Sequence, residues 1–367
     1  MRVLVAPDKF AGTLSADAAA RAIAEGWRRR AADDEVSCLP VADGGPGFAD
    51  VLAHALDGRV ETVTVSGPLG RPAEVGLVVV GDTVVLESAQ ACGHGADPER
   101  RPLRASTTGV GEAVMAAVRL GARRIVVGLG GSVTTDGGAG LLAALGARAD
   151  RPLHGGPEAL DGVSRVDLAP ARARLAGIEL VAAVDVTAPL TGMFGAARVF
   201  GQQKGMADEE VWRVDRVLDG FATAVCGPGP SQRSAADRAG AGAAGGLGFA
   251  LAALGAELRP GTEVVFEAVG LDAAVRKADL VLTGEGAFDV TSRSGKAVYG
   301  VAQTAGRHAR PCVVLAGRVD VGAREARAMG VESAYGMTET AGEQAALAEP
   351  ERHLAALAER VARTWSR

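Results

Sequence analysis

Asp8, Lys9, Asp43, Asp136 and Glu285 stand where apolar runs give way to loops rich in glycine. Residues 6–13 read APDKFAGT, 41–45 VADGG, 128–138 GLGGSVTTDGG and 282–286 LTGEG. Each is an apolar strand-like run entering a loop of glycine with Asp, Glu, Lys or Thr. Glycines let backbone N–H groups approach phosphate oxygens, hydroxyls of Ser132 and Thr134 can donate hydrogen bonds, and a following helix start favours an anion. No GxxxxGK[ST] occurs, so none of these is a Walker A loop. The same glycines would also serve a turn that merely lets helix and strand approach closely.

Lysine usage points the same way. Of 39 basic residues only Lys9, Lys204, Lys277 and Lys296 are lysine. Arg fills almost every generic surface role, yet Lys9, Lys204 and Lys296 all fall in expected loops, two of them next to a glycine. A compact ammonium retained there fits a phosphate. Asp8, Asp43, Asp136, Asp185, Glu285 and Asp289 are the carboxylates that could orient or deprotonate an attacking hydroxyl, or hold Mg²⁺. Each is equally suited by type to cap a helix or a turn. A GxGxxG string at 240–245 matches the dinucleotide fingerprint, but no strand precedes it; a tightly packed helix start or a wall of a nucleotide site competes with a true dinucleotide site.

The elements that must position these residues follow from periodicity. Residues 3–6 read as a buried strand, Ser15 as the N-cap of a helix to about Arg30, 36–41 as a strand and 48–56 as a helix. This βα rhythm favours a parallel sheet with helices on its faces, and loops at the carboxyl ends of parallel strands share one edge, where ligands bind. From about Val60 the pattern turns β-rich, with a hairpin expected through Gly81-Asp82-Thr83. Helices are expected at 109–120, 138–145 and 209–224, strands at 124–129 and 178–184, and an exposed loop at 227–238. The βα rhythm returns at 280–283. The expected organisation is therefore one domain from both chain ends, 1–58 and 278–367, with 59–277 inserted.

A net charge of −5 gives no basic footprint for nucleic acid or anionic lipid. The uncharged stretch 239–256 has the length of a membrane span but is built largely of Gly and Ala, too weakly apolar for insertion. Cys38, Cys92, Cys226 and Cys312 have no CxxC spacing and read as small buried hydrophobes of a reducing compartment. The expectation is a cytoplasmic protein with a small-molecule substrate and neither nucleic-acid nor membrane partners; oligomeric state is not legible.

In this order, APDKFAGTLSA, LPVADGG, GVGEA, GLGGSVTTDGGAG, AAVDV, FGQQKG, GAGAAGGLG and LTGEGAFD with SGK behind it resemble the bacterial glycerate kinase family of the 2-kinase type. The resemblance implies an α/β protein of two domains, one flavodoxin-like and one restriction-endonuclease-like with a mixed sheet, with the site in the cleft between them. It also implies ATP, Mg²⁺ and D-glycerate, phosphorylated directly at the 2-hydroxyl. On that reading Gly130, Gly131, Ser132 and Thr134 cradle phosphates, and Lys9, Lys204 or Lys296 offset developing charge. Asp8 and Asp43 orient the substrate or act as base, and Asp185 and Asp289 are metal or base candidates. Gly44, Gly45, Asp136, Gly137, Gly245, Gly246, Gly284 and Glu285 complete the expected substrate- and nucleotide-binding set. Ala11, Pro46 and Ala287 depart from many relatives, which carry Lys, Glu and Arg there, and bear on substrate preference. The competing readings are a 3-kinase or kinase of a related hydroxy acid, a nicotinamide-dependent oxidoreductase, and a non-catalytic ligand sensor.

Overall fold

The computed structural model describes residues 1–10, 12–96, 99, 101–229, 231–293 and 296–366. Ala11 and the Ser294-Gly295 pair of the SGK motif, both singled out above, lie outside the described residues. The chain divides into two compact units, one of residues 1–43, 50–56 and 262–367, the other of 44–49 and 57–261.

The first unit is built on a five-stranded, all-parallel sheet. Its order is Ser333–Gly336, Cys312–Ala316, Leu280–Thr283, Arg2–Val5, Glu35–Cys38. The three central strands are almost wholly buried, as continuous apolar runs covered on both faces must be. The strand order reverses between Arg2–Val5 and Leu280–Thr283, the flavodoxin-type pattern. Loops leaving those two strands therefore diverge to opposite faces and open a crevice at the sheet's carboxyl edge. Helix Ala16–Arg30 starts on Ser15, whose hydroxyl accepts the Ala18 N–H at 3.1 Å, and buries Ile23 and Trp27 against helix Pro350–Trp365. Gly26 lies at that crossing because a Cβ there would sit 1.9 Å from the Ala355 carbonyl oxygen.

The second unit holds a mixed six-stranded sheet, Glu257–Pro260, Glu179–Val184, Arg124–Leu129, Thr83–Glu87, Pro72–Val80, Arg59–Ser66. The first four strands are parallel, and the last two join antiparallel. The expected hairpin pairs Val80 with Thr83, with Gly81 at φ +60° in the left-handed conformation this tight link requires. Helices Thr108–Arg119 and Ala139–Ala144 pack closely through Gly111, whose Cβ would lie 2.7 Å from that of Ala144.

Several sequence expectations shift. The inserted segment was expected at 59–277, but 262–277 fall in the first unit and 44–49 in the second. Helix Leu271–Lys277 feeds directly into strand Leu280–Thr283 and packs on helix Ala297–Arg307, so it travels with that sheet. The expected loop at 227–238 contains a helical turn, Ser234–Asp237, because Ala236 is buried and its carbonyl accepts the Leu190 N–H. The four cysteines are free thiols, but only Cys92 and Cys312 are buried; Cys38 is exposed at a sheet edge and Cys226 is half-buried. Among the described residues no helix is long and apolar enough to cross a membrane.

Candidate functional site

In the first unit the chain continues its sheet pairing past the strand ends. The Ala6 and Asp8 N–H groups donate to Leu282 O and Gly284 O, while Leu39 and Val41 donate to Val5 O and Pro7 O on the other side. This extended pairing carries Asp8, Asp43 and Glu285 to the same edge of the sheet. Gly284 is obligatory there, since a Cβ would lie 2.1 Å from Leu315 O.

Charge is concentrated at this edge. The Lys9 ammonium lies 3.4 Å from Asp43 Oδ1 and 3.8 Å from Asp8 Oδ1. Burial raises the Asp8 carboxyl to about 7, and the neighbouring Asp43 and Glu285 charges reinforce the shift against the pull of Lys9 and its backbone N–H. Glu285 is also raised by burial, although its Oε1 accepts the Ser292 hydroxyl at 2.7 Å and its Oε2 lies 3.3 Å from Lys296 Nζ. Lys296 sits immediately before helix Ala297–Arg307. Asp289 differs from the others: it is half-exposed, and its Oδ1 accepts the Thr291 N–H and hydroxyl, which hold its carboxyl below the usual range.

The second unit gathers the remaining loops. Gly44, at φ +102°, and Gly45 run against the turn after strand Arg124–Leu129. A Cβ on Gly130 would lie 2.7 Å from Gly45 Cα and 3.3 Å from Asp185 Oδ2, and one on Gly131 would lie 2.8 Å from Pro46 Cγ. Glu87, at the end of its strand, accepts the Gly47 N–H at 2.9 Å and so fixes this crossing. Further along, Gly245 and Gly246 approach residues 134–137: Cβ atoms there would meet Thr134 O at 1.9 Å and Gly137 Cα at 2.5 Å. The GxGxxG segment is thus a close backbone contact, with a 3-10 turn at Ala243–Gly245 and no strand leading into it. Its glycines are accounted for by packing, not by a dinucleotide fold.

Lys204 points its ammonium into this loop, at 2.6 Å from Thr134 O and 3.2 Å from Ser132 Oγ. It is 5% exposed and has no ion pair among the described residues. Burial lowers its ammonium to about 8. The nearby Cys92 thiol, pushed up to about 12 by burial, stays neutral and offers no counter-charge. Asp136 is also near, but its carboxylate is spent on the chain itself. It accepts from the Thr107 N–H and hydroxyl and from the N–H groups of Gly138 and Gly140, while burial raises its carboxyl. The fully buried Thr135 hydroxyl has no hydrogen-bond partner among the described residues. A buried cation without an ionic partner is costly unless a ligand anion completes it.

The family model described as "Glycerate kinase family" matches residues 3–366. The chain belongs to the glycerate kinase family. A glycerate kinase of Bacillus subtilis (strain 168) is 40% identical over 329 residues, covering 87% of this chain and 85% of that one. A glycerate 2-kinase of Escherichia coli (strain K12) is 37% identical over 333 residues, covering 88% and 87%. A crystal structure described as a glycerate kinase 2 from Salmonella typhimurium LT2 superposes with a TM-score of 0.82 at 36% identity, covering 99% of this chain and 98% of that one. The chain is accordingly a kinase.

Sequence reasoning about this glycerate kinase family member grouped the glycine loops but missed their supports. Glu87, Thr107 and Ser292 each anchor a loop. Only Glu87, closing an apolar run at a strand's carboxyl end, carried a readable signal. Asp136, a candidate ligand contact by sequence, braces its own loop. Asp136→Ala should therefore lower stability by about 2–4 kcal/mol, because it strands three buried N–H groups. Urea denaturation read by circular dichroism measures it; an unchanged midpoint would show that the brace is not needed.

Proposed function

We propose that this chain is a cytoplasmic enzyme that phosphorylates D-glycerate at its 2-hydroxyl with ATP, by direct in-line transfer. The observation that carries the reading is the Lys204 ammonium, buried against Ser132 Oγ and Thr134 O without an ionic partner among the described residues. Such a site gains most from a ligand with dense negative charge, and a phosphoryl group also has oxygens enough for the Ser132 hydroxyl.

In the proposed reaction the glycerate 2-oxygen forms a bond to the γ-phosphorus as the bond to the β–γ bridging oxygen breaks, with ADP leaving. The hydroxyl proton passes to Asp8, whose carboxyl near 7 is matched to neutral-pH proton transfer. Lys9, held by Asp43, and Lys296, held by Glu285, supply positive charge for the substrate carboxylate and the transferring group. Mg²⁺ would supply charge neutralisation across the phosphates. Among the described residues no three His, Cys, Asp or Glu converge as a metal cage. Mg²⁺ is ordinarily held by one or two carboxylates plus phosphate oxygens. Asp185 or Asp289 would hold it, and Asp289 keeps Oδ1 on Thr291 while its second oxygen makes no hydrogen bond among the described residues.

A coupled ADP-release assay with D-glycerate, followed by phosphorus NMR of the product, tests the proposal. Glycerate-dependent ADP and a 2-phosphate support it. ATP binding without turnover, or a 3-phosphate product, overturns it in its entirety or in its regiochemistry respectively.

A further inference from the structure

The second unit carries a cavity of about 810 Å³ that includes none of the residues discussed above as catalytic or nucleotide-binding. Its lining brings Arg71, Arg101 and Arg104 together with Glu99, Glu158, Ser106 and Thr108. The Glu99 carboxylate is clamped between two guanidinium groups: one oxygen takes Arg71, and the other takes Arg101 Nε at 3.0 Å. Arg104 is exposed and has no ion pair among the described residues. Ser106 Oγ and Thr108 Oγ1 lie 2.9 Å apart where helix Thr108–Arg119 begins, adding hydroxyl donors and the positive end of a twelve-residue helix.

A carboxylate held between two arginines, with a third arginine beside it, is an anion site occupied by the chain's own anion. Ion pairs this exposed are weak and exchange readily with a better-charged competitor. Among the described residues the cavity lining sets three guanidinium groups beside two carboxylates. The volume is that of a small-molecule site. We propose that this cavity binds a compact phosphate monoester carrying a second negative charge. Its phosphate replaces the Glu99 carboxylate against Arg71 and Arg101, and its second charge rests on Arg104. A phosphate suits the site better than a second carboxylate because its three oxygens also reach the Ser106 and Thr108 hydroxyls. The site is independent of the reading of Lys204 and Asp8, and stands or falls separately.

The test is isothermal titration of the full chain with 2-phosphoglycolate as probe, with a non-hydrolysable ATP analogue and Mg²⁺ saturating. Glu99→Gln is expected to tighten binding several-fold by removing the internal competitor. Arg104→Gln is expected to weaken it about tenfold, the loss of one charge-assisted contact. Both substituted residues are partly or fully exposed, and the thermal midpoint of each variant verifies folding. Binding that is undetectable in the wild type, or equal in wild type and both variants, overturns the proposal. Malonate binding as tightly as 2-phosphoglycolate overturns the assignment to a phosphate.

Discussion

Lys204→Met is expected to lose about 10²–10³ in kcat/KM for glycerate phosphorylation, the usual cost of removing one preorganised charge stabiliser from a water-poor site. The residue is held on Thr134 O and Ser132 Oγ, so its ammonium cannot be replaced by a neighbouring side chain. Lys→Arg should not rescue it, since the guanidinium is too large for a 5% exposed slot. A second readout separates function from architecture. The folded-state value near 8 lies below the ordinary 10.5 of lysine, so the folded state disfavours the charged form. Below pH 8 both states carry the charge and the folded state bears the full penalty. As pH rises from 8 to 10.5 the folded lysine deprotonates first and the penalty is relieved. Wild type should therefore gain about 1–3 kcal/mol relative to Lys204→Met across that window. Parallel denaturation of the two proteins at pH 7.5 and 10 measures it; a constant difference would remove the assignment of a depressed lysine.

Asp8→Asn is expected to lower kcat by about 10²–10⁴, the range for a general base. Its carboxyl near 7 should also shape the pH profile. In wild type, kcat/KM rises through pH 7 as Asp8 ionises; the residual activity of Asp8→Asn lacks that limb. Stability runs the opposite way. The folded value is raised above the ordinary 3.8, so the penalty is absent below pH 4, grows as pH climbs, and is complete above 7. Asp8→Asn should accordingly be more stable than wild type at pH 8 by about 2–4 kcal/mol, with the advantage gone at pH 4. Lost rate together with gained stability is the signature of a strained functional group. An acid limb surviving in Asp8→Asn would remove the base role from Asp8.

Much of the scaffold was legible because it rests on local rules. Ser15 is a good helix start by residue type alone, and the structure uses its hydroxyl as one. Continuous apolar runs at 3–5, 280–283 and 312–316 specify strands buried on both faces, and the order of glycine loops along the chain marks the family. The excess of Arg over Lys singled out Lys9, Lys204 and Lys296, and all three are held against polar groups of the glycine loops or their carboxylates. Identity, spacing and composition carry this information without any three-dimensional contact.

What the sequence could not decide is which polar groups remain available once the chain has folded. Asp136 and Lys204 both looked like ligand contacts. Folding spends Asp136 on Thr107, Gly138 and Gly140, yet leaves the Lys204 charge without an ionic partner among the described residues. The glycines at 130, 245 and 284 were equally ambiguous. Tertiary structure assigns them to backbones approaching from residues 45, 134 and 315, respectively. Asp8 gives the same lesson for acidity, since burial and the charges of Asp43 and Glu285 move its carboxyl to neutrality. Residue type determines what a group can do. Desolvation and long-range hydrogen bonds, set by segments far apart in the chain, determine which groups are left to do it.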